Sequence, residues 1–330
     1  MIQEDIGRLA FDGQSVLVTG GTGSFGRHFI DALLRRTQAS RVVVFSRDEH
    51  KQFEMQQEYP DEPRLRFFLG DIRDLNRLMR AFDGVDVVVH AAALKHIPAA
   101  EYNPFEFVKT NVIGAQNVVE AAIDCGVTKV IALSTDKASS PINLYGATKL
   151  VGDRLFVAGN VYTGRKPTRF AVIRYGNVVA SRGSVIWKLR HLERGATFHM
   201  TDARMTRFWI TLTQAVRFTI ASLDRMRGGE IFIPKLPSMR LADLIEAVAP
   251  HAEVTHSGVR PGEKLHEEMI SLDEARRTVD RGNHFVILPD IIWSDQELLK
   301  GTPVPDGFRY ASDVNDDWLD AKGLATLLDE

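Results

Sequence analysis

Two short constellations near the middle of the chain carry side chains able to do chemistry. Tyr145 and Lys149, in Tyr145-Gly146-Ala147-Thr148-Lys149, are spaced i, i+4, so on a helix they share one face. An ammonium beside a phenol favours the phenolate. Such a tyrosine is a base for a substrate hydroxyl while hydride leaves the same carbon. Ahead of it stands the triplet Thr135-Asp136-Lys137. A carboxyl group next to an amine is the pair that a dehydration needs, one member removing a carbon-bound proton and the other protonating the departing hydroxyl. The bland alternative is a surface ion pair that contributes little.

A departing hydride needs an acceptor, and the start of the chain offers a place for one. Gly20-Gly21-Thr22-Gly23-Ser24-Phe25-Gly26 follows an apolar run and precedes an amphipathic one. Glycines at 20, 23 and 26 permit a tight turn whose N–H groups approach a pyrophosphate, at a helix N-terminus that favours negative charge. Gly20, Thr22, Gly23, Ser24, Phe25 and Gly26 are the expected contacts. The next apolar run ends in Ser46-Arg47-Asp48-Glu49-His50-Lys51. Sites for NAD usually place an acid here to bind the ribose hydroxyls. In this chain Ser46 and Arg47 occupy that place, Arg47 suits a 2′-phosphate bidentately, and Lys51 adds charge. NADP is therefore the expected cofactor, with Asp48 as the ribose ligand should it be NAD. Asp71 and Ile72, and then Ala91, Ala92 and Ala93, follow the next two apolar runs. They fall where an adenosine half should rest, Asp71 accepting from the adenine amino group and the alanines leaving room for the ribose.

The elements that must position these groups alternate regularly. Continuous apolar runs at Ser15–Thr19, Arg41–Phe45, Leu65–Leu69, Val85–His90, Lys129–Leu133 and Phe170–Arg174 read as strands. Amphipathic stretches at Arg27–Arg35, Leu75–Ala81 and Ala115–Cys125 read as helices between them. That alternation predicts an α/β fold, a Rossmann-type doubly wound parallel sheet that binds ligands at the carboxyl ends of its strands. Residues 1–176 form the expected cofactor-binding domain. Residues 177–330 form a smaller substrate-binding region, with segments near 210–235 free to pack back onto the first. Thr213–Arg225 reads as a helix, and the last forty residues as acidic and irregular.

Composition narrows the class. With 330 residues, 44% of them hydrophobic and a net charge of −2, the chain is an ordinary globular protein with no field that attracts nucleic acid or an anionic membrane. The single cysteine, Cys125, forms no disulfide within the chain and fits a reducing compartment. No run approaches the ~20 apolar residues of a membrane span, and the first residues do not resemble a signal peptide. A soluble, cytoplasmic protein is expected. No Cys/His/Asp/Glu cluster has metal-ligand spacing.

Seven segments in order resemble the extended short-chain dehydrogenase/reductases: TGGTGSFG, SRDEHKQFEM, AAALKHIPAAEYNP, LSTDKASSPINLYGATKL, RYGNVVASRGSV, DARMTRFWITL and RPGEKLHEEMI. Within that family they are similar to the group of inverting UDP-N-acetylglucosamine 4,6-dehydratases that begin pseudaminic acid biosynthesis. The likeness runs from about Ser15 to about Ile270. It implies that Tyr145 takes the O4 proton while C4 hydride passes to NADP. Lys137 then removes the C5 proton, Asp136 protonates the C6 hydroxyl, hydride returns to C6, and C5 is reprotonated on the opposite face. Thr135 would hold O4, Lys149 the nicotinamide ribose, and Lys95 would face both cofactor and substrate. Asn177, Arg260 and Glu263 would contact the sugar nucleotide, with Arg182, Thr201 and Arg207 as further candidates. Relatives that retain C5 generally carry Asp-Glu where this chain has Asp136-Lys137, and a sister group has Met in place of Tyr145. The implied partners are UDP-N-acetylglucosamine and further copies of the chain, as a dimer or hexamer. A C5-retaining dehydratase, a 4-epimerase and a non-catalytic NADP sensor remain as alternatives.

Overall fold

The computed structural model describes residues 11–179, 184–193, 195–290 and 299–329. Six parallel strands form the frame: β1 (Ser15–Thr19), β2 (Arg41–Ser46), β3 (Leu65–Leu69), β4 (Val87–His90), β5 (Lys129–Thr135) and β6 (Arg169–Tyr175). Their order across the sheet is β3-β2-β1-β4-β5-β6. β1 and β4 are buried along their whole length, which is why they read as unbroken apolar runs. β2 and β4 flank β1 on opposite sides, so the winding reverses there and opens a crevice at the carboxyl edge.

Of the element ends that differ from the sequence expectation, two matter to the site. The first helix begins at Ser24 rather than Arg27, inside the glycine turn, so its N-terminus faces the crevice. β5 continues past Leu133 to Thr135 and passes directly into a short 3-10 turn, Asp136–Ala138. That delivers the Thr-Asp-Lys triplet at the sheet edge.

The chain beyond residue 177 does two things. Ile231–Pro234 returns to pair parallel with β6. His284–Ile287, Thr278–Asp280 and Thr302–Pro303 extend the sheet antiparallel to ten strands. The helix Leu212–Arg225, opened by a Thr211/Gln214 capping box, packs against the Ser24–Arg36 helix. The remainder builds a separate lobe around Asn177–Val178, Thr206–Ile210 and Ser238–Arg240, with its own core of Ile186, Trp209, Met239 and Leu244. The acidic tail is not irregular to its end. Ala321–Asp329 is a helix, and Leu324 and Leu327 complete that second core. Among the described residues no helix is long and apolar enough to cross a membrane.

β6 carries a charge through the middle of the core. Arg174 is fully buried. It donates to both oxygens of Glu274 at 2.9 and 3.0 Å and to the Met269 carbonyl at 2.8 Å, with Asp153 at 3.5 Å. This pairing fastens the Glu268–Ile270 segment to the sheet. Removing one partner of a buried pair leaves the other charge uncompensated. Arg174→Met is expected to destabilise the protein by about 3–5 kcal/mol in urea unfolding; a loss under about 1 kcal/mol would show that the network does not hold the segment.

Candidate active site

The glycine turn is shaped by close approach. Gly20 has φ +68°, and a Cβ there would lie 2.8 Å from the Ala92 nitrogen. At Gly26 it would lie 2.5 Å from the Gly20 carbonyl oxygen. Side chains at either place would push β4 or the helix away. Thr22 is buried and Phe25 stacks on Phe29, so both brace the turn. No side chain caps the Ser24–Arg36 helix and no acid lies in its first turn. Its N–H groups are left for an anion, and the turn fits a dinucleotide pyrophosphate.

The adenosine side departs from expectation in part. Asp48 is the N-cap of the Glu49–Glu58 helix, accepting from the Lys51 backbone at 3.0 Å, and its carboxylate pairs with Lys51 Nζ at 2.8 Å. Both expected contacts are thus occupied with each other. Ser46 is buried and receives a hydrogen bond from Gln52. Arg47 is exposed, with Asp71 at 4.0 Å. Asp71 accepts from the Arg73 backbone and guanidinium. Burial alone would raise its pKa, but Arg73, and Arg47 further off, bring it below the usual value. The Ile72 side chain is buried, packed where a Cβ on Gly114 would fall. Ala91 and Ala92 pack over Gly20, whereas Ala93 is exposed.

The Asp136-Lys137 pair is not a surface ion pair. Asp136 is fully buried. Thr135 Oγ1 donates to its Oδ1 at 2.8 Å, and Oδ2 has no hydrogen-bond partner. Lys137 Nζ lies 3.0 Å from Asp136 Oδ1, 3.1 Å from Glu267 Oε1 and 3.4 Å from Asn177 Oδ1. Burial raises the Asp136 pKa and the Glu267 charge adds to that, against Lys137. Burial opposes the charge on Lys137, yet the two carboxylates hold its pKa above the usual lysine value.

Tyr145 and Lys149 lie on the buried face of the long helix Leu144–Tyr162, as their spacing predicts. Burial pushes the Tyr145 phenol up to about 12, and the groups that pull it back are Lys137 and Thr135. Lys149 Nζ donates to the Leu133 carbonyl at 2.7 Å, and burial lowers its pKa. Gly146 lets the helix sit against the triplet, since any Cβ there would overlap the Lys137 carbonyl oxygen.

Of these groups Lys137 reaches a cavity of about 190 Å³, lined among others by Asn143, Asn177, Arg207, Glu263 and Glu267. Asn177 and Glu263 both line this cavity. Arg260 is exposed and lies 3.8 Å from Glu263. Arg207 spends its guanidinium on the carbonyls of Thr206, Lys264 and Leu265. Thr201 is buried and does not line the cavity. Lys95 is exposed in a loop whose Leu94 backbone is gripped by Asn111. Arg182 lies outside the described residues. Three residues escape the sequence reading. Asn143 caps the Leu144–Tyr162 helix and donates to the Gly262 carbonyl at 2.7 Å. Lys264 donates to the Ser139 carbonyl at 2.6 Å. Glu267 approaches Lys137. The last two lie within RPGEKLHEEMI, but no spacing reveals that this segment folds onto the triplet. Among the described residues no group of three side chains could hold a metal ion.

Fold and site together define a Rossmann-type enzyme of the short-chain dehydrogenase/reductase kind. Over residues 16–289 the chain matches the family described as polysaccharide biosynthesis protein, and it belongs to that family. It is 49% identical over 328 residues to the UDP-N-acetylglucosamine 4,6-dehydratase (inverting) of Campylobacter jejuni, covering 96% of this chain and 98% of that one. The crystal structure of Pen from Bacillus thuringiensis superposes with a TM-score of 0.89 at 37% identity, covering 96% and 98% of the two chains. A dTDP-glucose 4,6-dehydratase from Streptomyces venezuelae, solved with NAD, gives 0.68 at 26% identity over 76% of this chain and 87% of that one.

Proposed function

We propose that the chain dehydrates UDP-N-acetylglucosamine across C5 and C6 and inverts C5, giving UDP-2-acetamido-2,6-dideoxy-β-L-arabino-hexos-4-ulose for pseudaminic acid biosynthesis. The observation that carries this reading is the buried Asp136-Lys137 pair at the edge of a sugar-sized cavity. The 49% identical relative bearing the same activity in its name supports it. A bound nicotinamide dinucleotide supplies a reversible hydride acceptor. Tyr145 takes the O4 proton, and the cationic Lys137 beside it favours the phenolate. The resulting C4 carbonyl acidifies the C5 hydrogen, which the Lys137 amine removes. Asp136 gives a proton to the departing C6 hydroxyl. Burial raises the proton affinity of Asp136, so it takes up that proton more readily than an exposed aspartate would.

NADP is the proposed cofactor. Asp48 is engaged in capping and Asp71 with Arg73, so neither acid stands free for a ribose diol. Arg47 remains exposed at the end of β2, with a guanidinium that suits a 2′-phosphate. Arg47→Ser is expected to weaken NADP binding about 10- to 100-fold, the effect of losing one charged hydrogen-bonding group, and to leave NAD binding nearly unchanged. Equal loss for both dinucleotides would reject the assignment. The reaction itself is tested by NMR of the full chain with UDP-N-acetylglucosamine in D₂O. The expected product is a 4-keto-6-deoxy sugar with deuterium at C5 and L-arabino geometry. D-xylo geometry would overturn inversion, and a C4 epimer that keeps its C6 hydroxyl would overturn dehydration.

A further inference from the structure

The dehydration reading leaves a proton to be explained. Lys137 can take a proton from C5 only as a neutral amine, yet it rests between two carboxylates, Asp136 at 3.0 Å and Glu267 at 3.1 Å. Its own proton must go to one of them. Asn177 is also within reach, but an amide oxygen does not hold a proton near neutrality.

The two carboxylates stand in unlike surroundings. Glu267 Oε1 lies 3.8 Å from Arg207 Nε as well as beside Lys137, and Lys264 adds positive charge from the same segment. Asp136 has Lys137 as its sole ion-pair partner among the described residues, and its Oδ2 has no hydrogen-bond partner. A carboxylate near several cations stays ionised, and one buried beside a fixed anion holds a proton more readily. The directions of their pKa shifts agree, Glu267 below and Asp136 above the ordinary range.

We infer that Glu267 is a positioning residue for the proton chemistry, a fixed anion that holds Lys137 at the cavity and leaves Asp136 as the carboxylate that receives its proton. The inference rests on the dehydration reading and gives that step a closed proton balance. At rest one proton sits on Lys137 Nζ. Its transfer to Asp136 leaves an amine and a carboxylic acid. The amine then takes the C5 proton, the C5–C6 double bond forms, the C6–O bond breaks, and Asp136 gives its proton to the leaving hydroxyl as water. Lys137 ends as ammonium and Asp136 as carboxylate, as they began. No proton from solvent is required.

The groups facing Lys137 are Asp136 and Thr135 from its own turn, Tyr145 from the catalytic helix, Asn177 and Arg207 from the second lobe, and Lys264 and Glu267 from the segment after Gly262. Of these anions only Glu267 is removed in E267Q, so the sign is fixed: losing a neighbouring negative charge lowers the proton affinity of Lys137. The test is NMR titration of lysine ε-carbons in the substrate-free full chain, with K137M to assign the signal. In the wild type Lys137 should remain ammonium to the highest pH at which the protein stays folded. In E267Q a titration midpoint should appear within that range, and in E267D a smaller displacement in the same direction. With UDP-N-acetylglucosamine, kcat of E267Q should fall about 10-fold or more, as for loss of acid–base support, while KM changes less than about 3-fold. A Lys137 signal that titrates alike in all three proteins, or a full kcat in E267Q, would overturn the inference. If E267Q does not fold, E267D decides by the same readout. A wild type inert toward the sugar nucleotide would sink the substrate reading alone, because the titration needs no substrate.

Discussion

Everything in the site depends on how charge is kept out of water without being wasted. Taking an unpaired ion into a protein interior costs several kcal/mol, so buried charges must meet partners in fixed geometry. Here two such networks lie back to back. One, around Arg174, Glu274 and Asp153, leaves only the Arg174 Nε donor without a partner among the described residues. The other, around Asp136, Lys137 and Glu267, is left with carboxylate oxygens that have no hydrogen-bond partner, Asp136 Oδ2 and Glu267 Oε2. The Arg174 network holds the segment that carries Glu267. The Asp136 network reaches the cavity through Lys137 and Glu267 and has proton-accepting capacity to use. Ser134, next to Thr135 at the end of β5, donates to Asp153 of the first network at 2.8 Å.

The frame meets the same demand by close approach of backbone. Gly20 against Ala92, Gly26 against Gly20 and Gly146 against Lys137 are contacts that a Cβ would break. The first two bring a helix N-terminus to the crevice, and the third brings Tyr145 to the triplet. Asn143 and Lys264 then draw the Gly262 loop down over the same turn. Elements from both ends of the chain thereby close on one cavity, although the parallel sheet that supports them is built almost entirely from the first half.

Local chemistry was legible in the sequence and distant pairing was not. The strands β1 to β6, the glycine turn and the shared face of Tyr145 and Lys149 follow from apolar runs, glycine spacing and helical period. The same signals could not tell that Asp48 caps its own helix or that Ile72 packs beneath Gly114. Nor could they show that Lys137 and Thr135 favour the phenolate of Tyr145 against burial. Each depends on a backbone turn or a contact set by tertiary packing. Glu267 is the clearest case. Its segment was visible as a motif, but only the return of that segment past β6 places its carboxylate on Lys137. The tail misled in the opposite way: its acidic residues masked Leu324 and Leu327, two apolar positions that are enough to seat a short helix in the second core.

In the proposed mechanism Lys137 removes the C5 proton from within a buried charge cluster. The most direct measurement is NMR of UDP-N-acetylglucosamine incubated with K137M in D₂O, alongside proof that the variant is folded and binds the sugar nucleotide. With Lys137 as the base, the bound substrate should keep both its C5 hydrogen and its C6 hydroxyl. Loss of water with deuterium entering C5 at the native rate would contradict it.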